Sequence, residues 1–150
     1  MYELNDIVYV VPVTGGHKDN RRTIVDYVVK RPDQTPLEVR RIKILNQIPK
    51  GTNVLLGQHY HSYEEGFLVR GSCILYVLDH SDPQRRAKGE LKDCSLVIPP
   101  GIVHTFQSVN DFELIGLEPL VDYVDDAAVA RGAEKSKQTI FRYELNPADF

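Results

Sequence analysis

Residues 57–66 read GQHYHSYEEG, with His59 and His61 two apart and Glu64 and Glu65 just before Gly66. On an extended strand, residues i and i+2 share a face, so both imidazoles point one way while Gln58, Tyr60 and Ser62 point the other. If the strand ran straight on, Glu65 would lie about 13 Å beyond His61, outside any shared site. The polar residues 62–64 and the free backbone of Gly66 instead predict a reversal that returns a carboxylate toward the imidazoles on the next antiparallel strand. Glu64 competes for that role, and strand parity favours Glu65.

Outward from this stretch the chain reads as β structure. DIVYVVPV, RTIVDYVV, LEVRRIKIL, GFLVRG, CILYVLD, SLVIPP, HTFQSV and FELIGLEPL are short β-branched or aromatic runs divided by Gly, Pro, Asn and Asp. About eight closely spaced strands predict an all-β antiparallel sandwich or barrel. VDYVDDAAVARGAEK is the one helical segment expected, with acids near its start and Gly132 placed to stop it. TIFRYEL alternates again and is expected to be an edge strand, and DHSDPQRRAKGEL a mobile connection.

Length and composition bound the rest. The chain has 150 residues, enough for one domain with a hydrophobic core and too few for two, so residues 1–150 are expected to form a single domain. Hydrophobic content of 42% and charged content of 26% are those of a globular protein. The opening MYELNDIVYV carries acids where a secretory leader needs basic residues, and its apolar run is too short to span a bilayer. Cytoplasmic residence without membrane association is expected. A net charge of −3 argues against nucleic acid as a partner. Cys73 and Cys94 lie in apolar runs without metal-binding spacing and read as buried reduced thiols.

A fourth candidate ligand follows in IPPGIVHTF, where PPG forces a tight turn and His104 opens the next strand. Three neutral imidazoles and a carboxylate form a donor set that suits one divalent transition ion, Fe, Mn, Co, Ni or Zn, with positions left for water or substrate.

HYHSYEEG followed by PPGIVH resembles the two motifs of the cupin superfamily. The resemblance covers roughly residues 44–118. It implies a cupin-type antiparallel β-barrel, the double-stranded β-helix or jelly roll, flanked by N-terminal strands in residues 1–43 and by a short C-terminal helix and edge strand in 119–150. It also implies that His59, His61, Glu65 and His104 hold the metal, with Gly71 ending the first motif and Pro99 and Gly101 making the turn before the last ligand. Departures from the family pattern are Asn53, Asp93 and Ser108, where Gly, Gly and Asn are usual.

Around the ligands, Tyr60, Tyr63 and Glu64 are candidates for moving a proton. Phe67 and Phe106 are candidates for shaping a substrate pocket, although barrel core is the simpler duty for both. Arg40 and Arg41, or Lys43 beside them, are candidates for an anion contact. RRIKILNQIPKGT, the PPG segment and the acidic VDYVDDAA are similar to cupins of sugar and sugar-nucleotide biosynthesis. The expected function is therefore metal-assisted isomerisation or epimerisation of a sugar or sugar derivative. The alternatives are a non-haem Fe(II) dioxygenase, a non-catalytic sugar-binding or regulatory cupin, and a metal-free isomerase with His59 and His61 as acid and base. Apolar edge strands predict a homodimer.

Overall fold

Nine strands and one short helix are seen in the computed structural model, which describes residues 2–49 and 54–150. Asn53 lies outside the described residues. The strands are β1 (Tyr9–Pro12), β2 (Gly15–Lys18), β3 (Thr23–Asp26), β4 (Arg41–Leu45), β5 (Leu55–His61), β6 (Glu65–Asp79), β7 (Asp82–Ile98), β8 (Ile102–Glu118) and β9 (Ile140–Arg142), with the helix α1 (Asp126–Ala130) between β8 and β9.

Seven strands form one antiparallel sheet in the order β1-β7-β6-β8-β5-β9, with β4 also on β8. The sheet wraps around its apolar face, but its hydrogen-bonded path runs from β1 to β9 without returning on itself. β2 and β3 pair only with each other, and all eight of their residues are exposed.

The centre of the sheet differs from the run of short strands expected. GFLVRG and CILYVLD are two halves of β6, and HTFQSV and FELIGLEPL two halves of β8. Each long strand bends at an irregularity in its register rather than breaking, between Val69 and Ser72 against β7 and between Gly71 and Cys73 against β8. Gly71 has φ +86°, and a Cβ there would lie 2.2 Å from the Asp111 carbonyl oxygen, so glycine is required. Asp93, opposite the bend, holds φ +40° and accepts the Gly71 amide proton on Oδ1 at 2.8 Å. The carboxylate thereby repays the strain that a glycine would have avoided.

The expected mobile connection at residues 79–91 is instead a hairpin. Asp79 pairs with Asp82, and β7 is continuous from there to Ile98. Asp79 Oδ1 accepts the Ser81 backbone N–H at 2.9 Å and its other oxygen pairs with Arg85 at 3.2 Å, so side-chain hydrogen bonds supply the order that composition concealed. The helix is shorter than its alanine-rich stretch suggests. Asp125 caps it by accepting from the Ala128 amide at 2.8 Å, and it ends at Ala130, before Gly132 at φ +108°.

Inward-facing residues of β6, β7 and β8 build the main core, among them Val69, Leu75, Val77, Leu96, Ile98 and Leu114. Phe67 and Phe106 belong to it, 4% and 2% exposed, with ring centroids 5.2 Å apart. Cys73 and Cys94 are buried free thiols. No helix among the described residues is long and apolar enough to cross a membrane.

Candidate metal centre

β5 lies unusually close to β8 where the histidines meet. Gly57 has φ +102°, and a Cβ there would sit 2.7 Å from the His104 carbonyl oxygen. The next residue, Gln58, also has positive φ, +62°, and the register shifts between Gly57 and His59. The bulge sets His59 directly opposite His104. At the end of β5, the His61 carbonyl accepts the Gly101 amide at 2.9 Å, which ties the PPG turn to the strand that carries the other two imidazoles.

The three rings converge. Their centroids lie 4.7 Å apart for His59–His61, 4.8 Å for His59–His104 and 5.1 Å for His61–His104. One ring nitrogen from each lies within 4.8 Å of the others. His104 Nδ1 faces the Ile102 carbonyl at 3.1 Å, so the proton belongs on Nδ1 and the Nε2 lone pair faces the cluster.

Glu65 opens β6 and is 1% exposed. Its Oε1 lies 3.3 Å from His61 Nδ1 and 3.7 Å from His104 Nε2. Glu64 turns the other way and pairs with Arg31 Nε at 2.9 Å. Both ring nitrogens of His61, Nε2 of His104 and both carboxyl oxygens of Glu65 are buried without a hydrogen-bond partner. Orphaned buried polar atoms each cost about 1–3 kcal/mol, and a cation among them would satisfy one nitrogen of each ring and a carboxyl oxygen of Glu65. The donor set therefore fits a divalent metal.

The electrostatics of the imidazoles point the same way. Burial brings His59 down to about 4, with the Lys43 charge adding to it, and His61 to about 3, with His59 and Lys43 adding to it. Burial also holds His104 well below the ordinary histidine range. All three imidazoles are thus neutral at pH 7, the state in which they ligate. Burial and then the neighbouring Glu118 push Glu65 well above the ordinary carboxylate range. Burial alone would raise Glu118 too, but the Glu65 proton, Lys43 and Arg41 outweigh it and bring Glu118 to about 2.

The remaining sequence candidates divide. The Tyr63 ring sits 4.7 Å from His61, and its hydroxyl is buried without a partner. Tyr60 lies on the opposite face of β5, between the rings of His80 at 4.3 Å and Phe141 at 5.0 Å, away from the cluster. That placement follows from the same strand alternation that unites the histidines. Arg40 is exposed and pairs with Glu38 at 2.8 Å, so it is turned away. Arg41 points in, engages Glu118 and lies over the Tyr123 ring at 4.5 Å. Phe67 and Phe106, with Lys43, His59, Glu65 and His104, line an inner cavity of about 50 Å³. His59 also lines an outer cleft of about 270 Å³ with Gln58, Asp125, Asp126 and Arg142.

Sequence reasoning missed Glu118. Phe112, Leu114, Gly116 and Glu118 share one face of β8, and the glutamate ends that inward row 0% exposed. A glutamate at an apolar parity position was the available signal.

No protein-family model matches the sequence, and no curated protein does. Solved structures do match. QdtA, a sugar 3,4-ketoisomerase from Thermoanaerobacterium thermosaccharolyticum in complex with TDP, superposes with a TM-score of 0.58 at 17% identity, over 81% of this chain and 85% of that one. NovW, a 4-keto-6-deoxy sugar epimerase from Streptomyces spheroides, gives 0.62 at 17% identity over 93% and 69%. The fold is a cupin fold. ChmJ, a 3'-monoepimerase from Streptomyces bikiniensis in complex with dTDP-quinovose, shares it with a TM-score of 0.60 at 16% identity over 99% of this chain and 84% of that one.

Proposed function

We propose that this chain is a metal-dependent cupin isomerase or epimerase that moves a proton at the carbon beside the carbonyl of a keto sugar. The supporting observation is the set of buried, unpartnered donor atoms of His61, His104 and Glu65, met by His59, inside a fold shared with sugar ketoisomerases and epimerases. His59, His61, His104 and Glu65 are the residues to hold the ion, which when bound supplies polarisation of the carbonyl. His59 alone of the three imidazoles borders the outer cleft, so substrate reaches the cluster past its ring. Burial and the carboxyl groups of Glu65 and Glu118 push the Tyr63 phenol up, which keeps it protonated as a donor beside His61. The apolar walls Phe67 and Phe106 exclude water from the inner cavity beside His59, His104 and Glu65.

A second reading keeps the reaction and dispenses with the ion: His59 and His61, 4.7 Å apart and both neutral, act as the acid and base. Both readings are tested on a TDP-linked 4-keto-6-deoxy sugar, the substrate type seen with a structural neighbour. Solvent deuterium should enter beside the carbonyl, and the rate should fall with chelation and return with added metal. Full activity in chelated protein selects the histidine pair, and absence of exchange in either state refutes both.

We also infer a cytoplasmic homodimer. Among the described residues β1 and β9 each pair with a single strand, although Asn5 caps part of the free edge of β1 and Val124 and Asp126 part of that of β9, and Ile42 and Ile44 of β4 are each 61% exposed. Light scattering at micromolar concentration should return twice the monomer mass, and a monomer would refute the inference.

A further inference from the structure

Glu118 is 0% exposed, a burial at which an ionised carboxylate is expensive to keep. Two cations of β4 come to it. Lys43 Nζ lies 2.8 Å from Glu118 Oε1, and the Arg41 guanidinium engages Oε2. The same Lys43 Nζ is 4.0 Å from Glu65 Oε2, so a single ammonium stands between two carboxylates and sits closer to Glu118.

This arrangement matters because Glu65 has two suitors. An ammonium paired tightly with Glu65 would occupy the carboxylate and place a positive charge against any cation entering the imidazole cluster. Lys43 is 41% exposed and carries a long flexible stem, so only its partner decides where the charge rests. Register fixes the geometry: Arg41 stands opposite Glu118 and Lys43 opposite Gly116, with the lysine stem packed beside the glycine.

We propose that Glu118 is a positioning residue for the metal centre: it anchors the Lys43 ammonium and the Arg41 guanidinium away from Glu65, leaving the Glu65 carboxylate free to face the three imidazoles. The inference rests on the metal reading above. It makes Lys43 a competitor of the metal and Glu118 the restraint on that competitor.

The test is Co(II) binding to the full chain, read from the visible spectrum of the bound ion and by competition with a chelator, with no substrate present. Glu118→Gln should weaken Co(II) binding by about 10- to 100-fold, the range for a residue that orients a metal ligand. Lys43→Gln should tighten it by about threefold or more, since a nearby positive charge is lost. The double variant should return to within about threefold of the wild type, a rescue that a merely structural role for Glu118 would not produce. If Glu118→Gln does not fold, Lys43→Gln carries the test, and unchanged or weaker binding there overturns the proposal. Wild-type binding that His61→Ala abolishes but Glu118→Gln leaves within twofold refutes the role of Glu118 alone. No Co(II) binding by the wild type refutes the metal reading and this inference with it.

Discussion

Acid should unfold the chelated protein through its histidines, and the slope of that effect follows from the site. His59, His61 and His104 take up protons near 6.5 when unfolded, but in the folded chain only near about 4 for His59, about 3 for His61 and well below 6.5 for His104. Between pH 6 and 5 the unfolded state therefore binds between about two and three more protons here, and stability falls as pH falls. Glu65 opposes this. Its folded pKa is raised, so above 4.5 the folded state holds a proton that the unfolded state lacks, and acidification favours folding at that one group. Three groups against one leave about two protons net, or about 2.7 kcal/mol per pH unit at 1.36 kcal/mol per group.

Glu118 acts elsewhere. Its folded pKa is lowered to about 2, so its contribution is complete above 4.5 and is lost only as pH falls toward 2. Since a domain has about 5–15 kcal/mol in total, two pH units of this slope are enough to consume much of it. Urea unfolding of chelated protein at pH 7, 6 and 5 measures the effect directly. The free energy should drop by about 2–3 kcal/mol between pH 6 and 5. A change under about 0.5 kcal/mol would mean that the imidazoles are not held neutral by burial, and the account of the site would fail with them.

Other perturbations separate the roles of neighbouring residues. His59→Ala, His61→Ala and His104→Ala should each lower metal content by at least about tenfold while the far-UV circular dichroism stays that of the wild type. Glu65→Gln should weaken metal binding, whereas Glu64→Gln, which loses the partly buried pair with Arg31, should change it less than about twofold; the reverse pattern would exchange the two carboxylates. Tyr63→Phe should reduce deuterium exchange into substrate by at least about tenfold, and Tyr60→Phe should leave it unchanged, because Tyr60 faces away between His80 and Phe141. Gly57→Ala should destabilise the fold by about 2 kcal/mol or more in thermal or urea unfolding, given a Cβ placed 2.7 Å from the His104 carbonyl at φ +102°.

What the sequence made legible and what it hid divide along one physical line. Alternation along a strand is local and strict, so the shared face of His59 and His61, the return of Glu65 and the outward turn of Tyr60 are all consequences of period two. The turn that brings His104 in is local too, because PPG constrains its own backbone. Continuity of strands is not local. Whether GFLVRG and CILYVLD are two strands or one bent one depends on Gly71 meeting Asp111 across the sheet and on the Asp93 carboxylate closing the Gly71 amide, contacts made only after the strands are side by side. The charged wall behind the imidazole cluster is of the same kind. Arg41, Lys43 and Glu118 are ordinary charges in the sequence, and it is the β4–β8 register, with Arg41 opposite Glu118, that turns them into an ionic group around a buried carboxylate beside Glu65. Side chains with the donor chemistry to hold a metal announce themselves by type and spacing. The charges around Glu118 are set by position in the assembled sheet, and position across strands is what a linear pattern leaves out.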